Sequence, residues 1–157
     1  MSMLKRLEVA LKGGPRALEA LLEEVDFPHV EGRNVTFVYH GQAEEVMLHH
    51  WIHGLPGELQ FNRLRRSDLR VLQIDLPRRS RMEYKIGVML RGRCQLLQDP
   101  LNTNLARDPF GANSVVYGEG YEPPDWTVED PEARKGTVED RHLDSSVFGD
   151  WRPIRIY

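Results

Sequence analysis

Residues 82–116 read MEYKIGVMLRGRCQLLQDPLNTNLARDPFGANSVV. Met82, Tyr84, Ile86, Val88 and Leu90 fall on one face of this stretch, and Glu83, Lys85, Gly87, Met89 and Arg91 on the other. Successive side chains of a strand point to opposite faces, so the alternation predicts a half-buried β-strand. Arg91-Gly92-Arg93 makes a short turn, and 94–97 reads as a returning strand. Asp99-Pro100, Asn102, Asn104, Asp108-Pro109 and Gly111 form a long loop of turn-forming residues. Residues 113–117 read as a last short strand.

The chain before this stretch continues the pattern. NVTFVY (34–39) alternates through Val35, Phe37 and Tyr39, and EVMLHH (45–50) places Val46 and Leu48 inward. Gly41-Gln42 turns between them, which makes a hairpin. RVLQIDL (70–76) is a further strand with Leu72, Ile74 and Leu76 on one face. Residues 59–64 fit neither template. Strands at this spacing, with no helix pattern between them, predict a β-sandwich and argue against a parallel α/β sheet. Residues 1–26 differ: Leu4, Leu7 and Leu11, then Leu18, Leu21, Leu22 and Val25, recur at helical spacing. Gly13-Gly14 separates the two runs, and Pro15 suits the first position of the second helix. We expect a helical hairpin packed on the sandwich or on a partner domain. An uncovered patch of Leu4, Leu7, Leu11, Leu18 and Leu22 would instead mean a homodimer.

Composition narrows the function classes. A chain of 157 residues with 40% hydrophobic and 29% charged residues suits a globular domain with a real core. A net charge of −3 gives no global field that favours nucleic acid or an acidic membrane surface. The single cysteine, Cys94, allows no internal disulfide and fits a reducing compartment; we expect it to be a small buried hydrophobe. No apolar run approaches the ~18 residues of a membrane span. Residues 1–25 carry acids and no apolar signal core. The expected location is cytoplasmic.

Three segments follow: a helical hairpin over 1–26, a β-sandwich over 27–118, and a proline-, glycine- and acid-rich linker over 119–157 that ends in a strand around Ile154 and Ile156. Trp126 and Trp151 are expected to pin that linker to the sandwich.

EYKIGV, then DPLN, then DPFGANSVV resembles the N-terminal domain of enterochelin esterase-like proteins of the putative esterase family. The resemblance runs from about residue 30 to 157. It implies an immunoglobulin-like (early-set) β-sandwich set before a serine α/β-hydrolase domain. The strand at the end of the chain would then be the first of that hydrolase, and the chain part of a longer protein. The wider early-set group, including glycogen-binding modules, shares a similar pattern of YKF, DP and NN. The implied role is a non-catalytic accessory domain that covers the active site and helps shape the pocket. The alternative is a free-standing carbohydrate- or protein-binding module.

No catalytic residue is expected here. A serine hydrolase needs a nucleophile in G-x-S-x-G, and none occurs; Ser114 lacks both glycines. His40, His49, His50 and His53 cluster in sequence, but without an acid or cysteine among them we expect no metal site, and no cofactor is expected. Trp51 and His53 are candidates for a substrate or domain interface, because an aromatic body with a polar tip suits a half-wet contact. Arg63, Arg65 and Arg66 join them, since planar guanidinium groups suit carboxylates and catecholate-like anions. The partners expected are a hydrolase domain of the same parent chain and an anionic ester or siderophore ligand. The simpler account is that these arginines lie in solvated loops, paired with Glu58, Asp68 and Asp75. Nucleic acid is not expected, since Phe61 is the lone aromatic in the cluster. The resemblance to early-set glycogen-binding modules implies that glucan binding is disfavoured too, because Leu96 and Arg70 stand where those modules carry stacking aromatics.

Overall fold

The computed structural model describes residues 1–53, 56–127, 130–134 and 136–157. Two helices, α1 (Met3–Lys12) and α2 (Pro15–Glu24), open the chain. Gly14, at φ 96°, makes the turn between them, a backbone conformation that glycine adopts without steric cost. Ten strands follow: β1 (His29–Glu31), β2 (Asn34–His40), β3 (Glu45–His50), β4 (Glu58–Gln60), β5 (Asn62–Arg63), β6 (Leu69–Asp75), β7 (Arg81–Leu90), β8 (Arg93–Leu97), β9 (Leu105–Asp108) and β10 (Gly111–Tyr117).

These strands make two antiparallel sheets. The first runs β1-β2-β6-β5, and the second β4-β3-β7-β10-β9, with β8 also on β7. The long strand β7 organises the second sheet, as its alternation predicts. One edge pairs with β3 through Glu45↔Met89 to His50↔Tyr84. Its other edge is shared: the first half pairs with β10 through Tyr117↔Arg81 to Ser114↔Tyr84, and the second half with β8. The residues 59–64 that fit neither template pass from one sheet to the other. Glu58–Gln60 lies on β3, Asn62–Arg63 lies on β6, and buried Phe61 sits at the crossing with its N–H donating to the Val46 carbonyl at 2.9 Å.

The core between the sheets is built from Val35, Phe37 and Leu72 on one side and Val46, Leu48, Met82, Tyr84, Ile86, Val88 and Val116 on the other. It makes the protein a mainly β sandwich with an N-terminal helical hairpin. A second core lies outside the first sheet, where Met3, Leu7, Leu18, Leu21 and Phe27 cover Val38, Leu69 and Val71. Leu4, Leu11 and Leu22 pack against the same cluster, so the leucine patch that would have signalled a homodimer is covered within the chain.

Two expectations are corrected. Leu90, placed inward by the alternation, is exposed, because β7 runs out of the sandwich there into the turn at Arg91. Cys94 is exposed, because on β8 it stands opposite Met89, an outward position of β7.

Residues Pro123–Tyr157 form a separate compact unit. Where a linker and one strand were expected, β11 (Glu139–Ser145) pairs with β12 (Asp150–Ile156) as an antiparallel hairpin, in register from Glu139↔Ile156 to Ser145↔Asp150. Trp151 packs edge-on against His142 within this unit, while Trp126 is exposed. Among the described residues no helix is long and apolar enough to cross a membrane.

Candidate functional site

The loop 98–104 leaves β7's neighbour β8 where β10 takes over, and there the DPLN residues turn inward. Asp99, Asn102 and Ser114 are buried beside Tyr84, itself fully buried. The Tyr84 hydroxyl donates to Asp99 Oδ2 at 2.6 Å and accepts from Asn102 Nδ2 at 2.9 Å. Asn102 Nδ2 also donates to the Val115 carbonyl at 2.8 Å, and the Asp99 amide donates to Ser114 Oγ at 2.8 Å. The remaining carboxylate oxygen of Asp99 accepts from the Leu101 amide at 2.9 Å. Burial raises the pKa of Asp99, while Tyr84 and the Leu101 amide oppose the rise. The Tyr84 hydroxyl is pushed up by burial and by the Asp99 carboxylate beside it. Each polar group is satisfied by another, so this is a structural lock on the loop rather than a reacting centre. Ser114 is thereby occupied as an acceptor.

The open chemistry lies on the outer face of the second sheet. A groove of about 350 Å³ is lined by Trp51, Ile52, Arg81, Met82, Glu83 and Asn113. Trp51 is 62% exposed just past the end of β3. Glu83 and Arg81 are outward positions of β7, and Asn113 reaches them from β10. Arg81 Nη1 meets Glu83 Oε1 at 2.7 Å, and Asn113 Nδ2 donates to Glu83 Oε2 at 2.9 Å. The Asn113 amide and then Arg81 hold the Glu83 carboxyl below its ordinary pKa, so the groove keeps an ionised, oriented carboxylate. The wall therefore pairs an indole face with fixed donors and acceptors, the usual make-up of a small-molecule or interface groove.

The structure divides the residues singled out in the sequence. Trp51 lines the groove, and His53 lies exposed in the turn beyond it. Arg63, Arg65 and Arg66 are elsewhere. The pairing His49↔Glu58 and Met47↔Gln60 puts the Trp51 loop at one end of β4 and Arg63 past its other end. Arg63 Nε donates to the Ser67 carbonyl at 2.7 Å, and its Nη2 lies 3.7 Å from Asp68. Asp75 pairs with Arg33 at 2.7 Å and Glu58 with His49 at 3.3 Å, not with the arginine cluster. Arg70 is buried and donates to the Ala43 carbonyl at 2.6 Å, which makes it structural. The histidines do not converge. His50 is buried, with Nδ1 accepting from the Ile52 amide at 3.3 Å; His40 and His53 are exposed; and His49 covers Gly87. Among the described residues no three metal-ligating side chains come together.

Ile52, Met82, Glu83 and Asn113 were not singled out as site residues from the sequence. The alternation of β7 does put Arg81 and Glu83 outward, but it gives no sign that β10 lies alongside. That register is needed to bring Asn113 to Glu83.

Protein-family models match no part of the chain, and no curated protein sequence matches it. Solved structures do. Enterobactin esterase from Shigella flexneri, in the presence of 2,3-dihydroxy-N-benzoyl-glycine, matches with a TM-score of 0.66 at 16% identity, over 88% of this chain and 45% of that one. Ferric enterobactin esterase from Salmonella typhimurium matches with a TM-score of 0.62 at 16% identity, over 87% of this chain and 45% of that one. The Shigella flexneri enzyme in the presence of enterobactin gives 0.63, 16%, 86% and 44%. The likeness is one of fold, and this chain spans less than half the length of these esterases. The overlap is larger than the first unit, Met1–Glu122, so it reaches into the second.

Proposed function

We propose that this chain is the non-catalytic N-terminal accessory domain of an enterochelin esterase-like serine hydrolase, an early-set sandwich that covers the active site and helps shape its pocket. The observation that carries the reading is the pair of coverages: 88% of this chain, but 45% of an esterase chain. The residues agree with a supporting role, because Ser114 is buried and hydrogen-bonded through Oγ, which leaves it no part as a nucleophile. The C-terminal hairpin agrees as well. A two-stranded hairpin is marginal alone in water, and this one exposes Leu143, Trp151, Ile154 and Ile156. On this reading it joins the sheet of an α/β-hydrolase domain of the same parent chain. The Trp51 groove, with His53 in the turn beyond it, is the part of the sandwich that meets substrate. The substrate would be an anionic ester or siderophore of the kind the matched esterases are named for, and the location cytoplasmic.

The experiment is a kinetic comparison in the product of the intact reading frame. Trp51→Ala is expected to raise KM for an aryl ester about tenfold with kcat nearly unchanged, because it removes binding surface and no reacting group. An unchanged KM would remove the groove from the pocket, and a product without esterase activity would end the reading.

A further inference from the structure

Arginines gather at both ends of the sandwich. At the Trp51 end Arg78 is paired with Glu119 and Arg81 with Glu83, while Arg79 is exposed and in no ion pair among the described residues. At the other end two turns hang on one short loop, residues 41–44. The turn 64–68 is tied to it by the Gly41 amide, which donates to the Asp68 carbonyl at 3.1 Å. The turn after β7 is tied to it by the Arg91 amide, which donates to Glu44 Oε1 at 3.0 Å. Gly41 and Glu44 are three residues apart, at most roughly 11 Å along the chain, so the turns are close neighbours. Together they carry Arg63, Arg65, Arg66, Arg91 and Arg93, all exposed. Among the described residues no carboxylate lies within ion-pair distance of Arg65, Arg66, Arg91 or Arg93; Asp68 stands near Arg63, the Glu44 carboxylate holds the Arg91 amide, Glu45 follows it, and Glu8 is near enough to Arg65 for their charges to interact.

Arg65 and Arg91 have φ of 57° and 51°, in the left-handed region that glycine or asparagine fits with less strain, as does Arg79 at the Trp51 end (59°). The arginines of the 41–44 end stand exposed on its surface.

We propose that this end is a docking surface for a carboxylate-rich face of a partner protein. Guanidinium groups offer planar, paired donors that match carboxylates. The surface lacks the interleaved aromatics that single-stranded nucleic acid stacks on. The inference does not depend on the esterase reading.

The test uses the 157-residue chain and a synthetic octaglutamate peptide as the probe. Amide shifts on titration are expected to concentrate at residues 64–68 and 91–93 and to fade with added salt. A variant carrying Arg65→Asn, Arg66→Ser, Arg91→Asn and Arg93→Ser should weaken binding at least about tenfold. Its thermal midpoint should equal or exceed the parent's, because two strained positions are relieved. Retained binding in the variant would overturn the proposal, as would shifts centred on residues 78–81. Tighter binding of duplex DNA than of octaglutamate would overturn it in favour of nucleic acid.

Discussion

An Asp99→Ala variant is expected to lose about 3 kcal/mol of unfolding free energy. The carboxylate accepts from the Tyr84 hydroxyl at 2.6 Å and the Leu101 amide at 2.9 Å, and Tyr84 is fully buried. Removing the acceptor leaves two donors unpaired away from water, and each costs roughly 1–3 kcal/mol. Urea unfolding followed by circular dichroism measures the loss; a change below about 1 kcal/mol would mean that water or another group takes the place of Asp99.

The same residue gives a pH signature. Burial holds the Asp99 pKa above its ordinary value of 3.8 in the folded state. The protonated form is therefore favoured by folding. That contribution is complete below the unfolded pKa and is lost as pH rises through the folded pKa. Glu83 and Asp75, whose pKa values are lowered, act in the opposite sense, so the useful quantity is a difference between variants. Asp99→Asn should gain on the parent as pH rises across that window and then hold level. A difference that shrinks with rising pH would contradict the assignment.

Leu7→Ala is expected to cost about 3 kcal/mol, within the usual 2–5 for a buried leucine. Leu7 is 0% exposed in the core that joins α1 to Val38, Leu69 and Val71. Val9, on the same helix, is 51% exposed, and Val9→Ala should lie within about 0.5 kcal/mol of the parent. Equal effects at both positions would mean that the helices act through their own propensity. The contrast expected here means that they cap the outer face of the first sheet.

The sequence showed the strands that bury one face, and it hid those that owe their form to pairing. Residues 82–90 alternate because β7 lies between the core and the outer face, so period and burial agree. β9 (LARD) and β11 (EDRHLDS) have too few apolar residues for any period to be read. They are strands because β10 and β12 pair with them. Asp99 and Asn102 read as loop residues, since polar side chains near proline usually face water. A signal was available: Tyr84 falls on the inward face, and a buried hydroxyl needs a partner. Of the candidate site, Trp51 was legible as an aromatic at a strand end. The separation of Trp51 and His53 from Arg63, Arg65 and Arg66 was not, because it depends on which way β4 runs against β3. Arg91 and Arg93 were read only as a turn, and they join Arg65 and Arg66 through hydrogen bonds to the 41–44 loop that no local pattern encodes.

The most direct test of the central claim is the mass and ester-hydrolysis rate of the product of the intact reading frame, set beside the 157-residue chain of 18.2 kDa. The accessory-domain account predicts a product far heavier than this chain that hydrolyses p-nitrophenyl esters, while the 157-residue chain alone does not. A product that ends at Tyr157, or a short chain that hydrolyses the ester unaided, would contradict it.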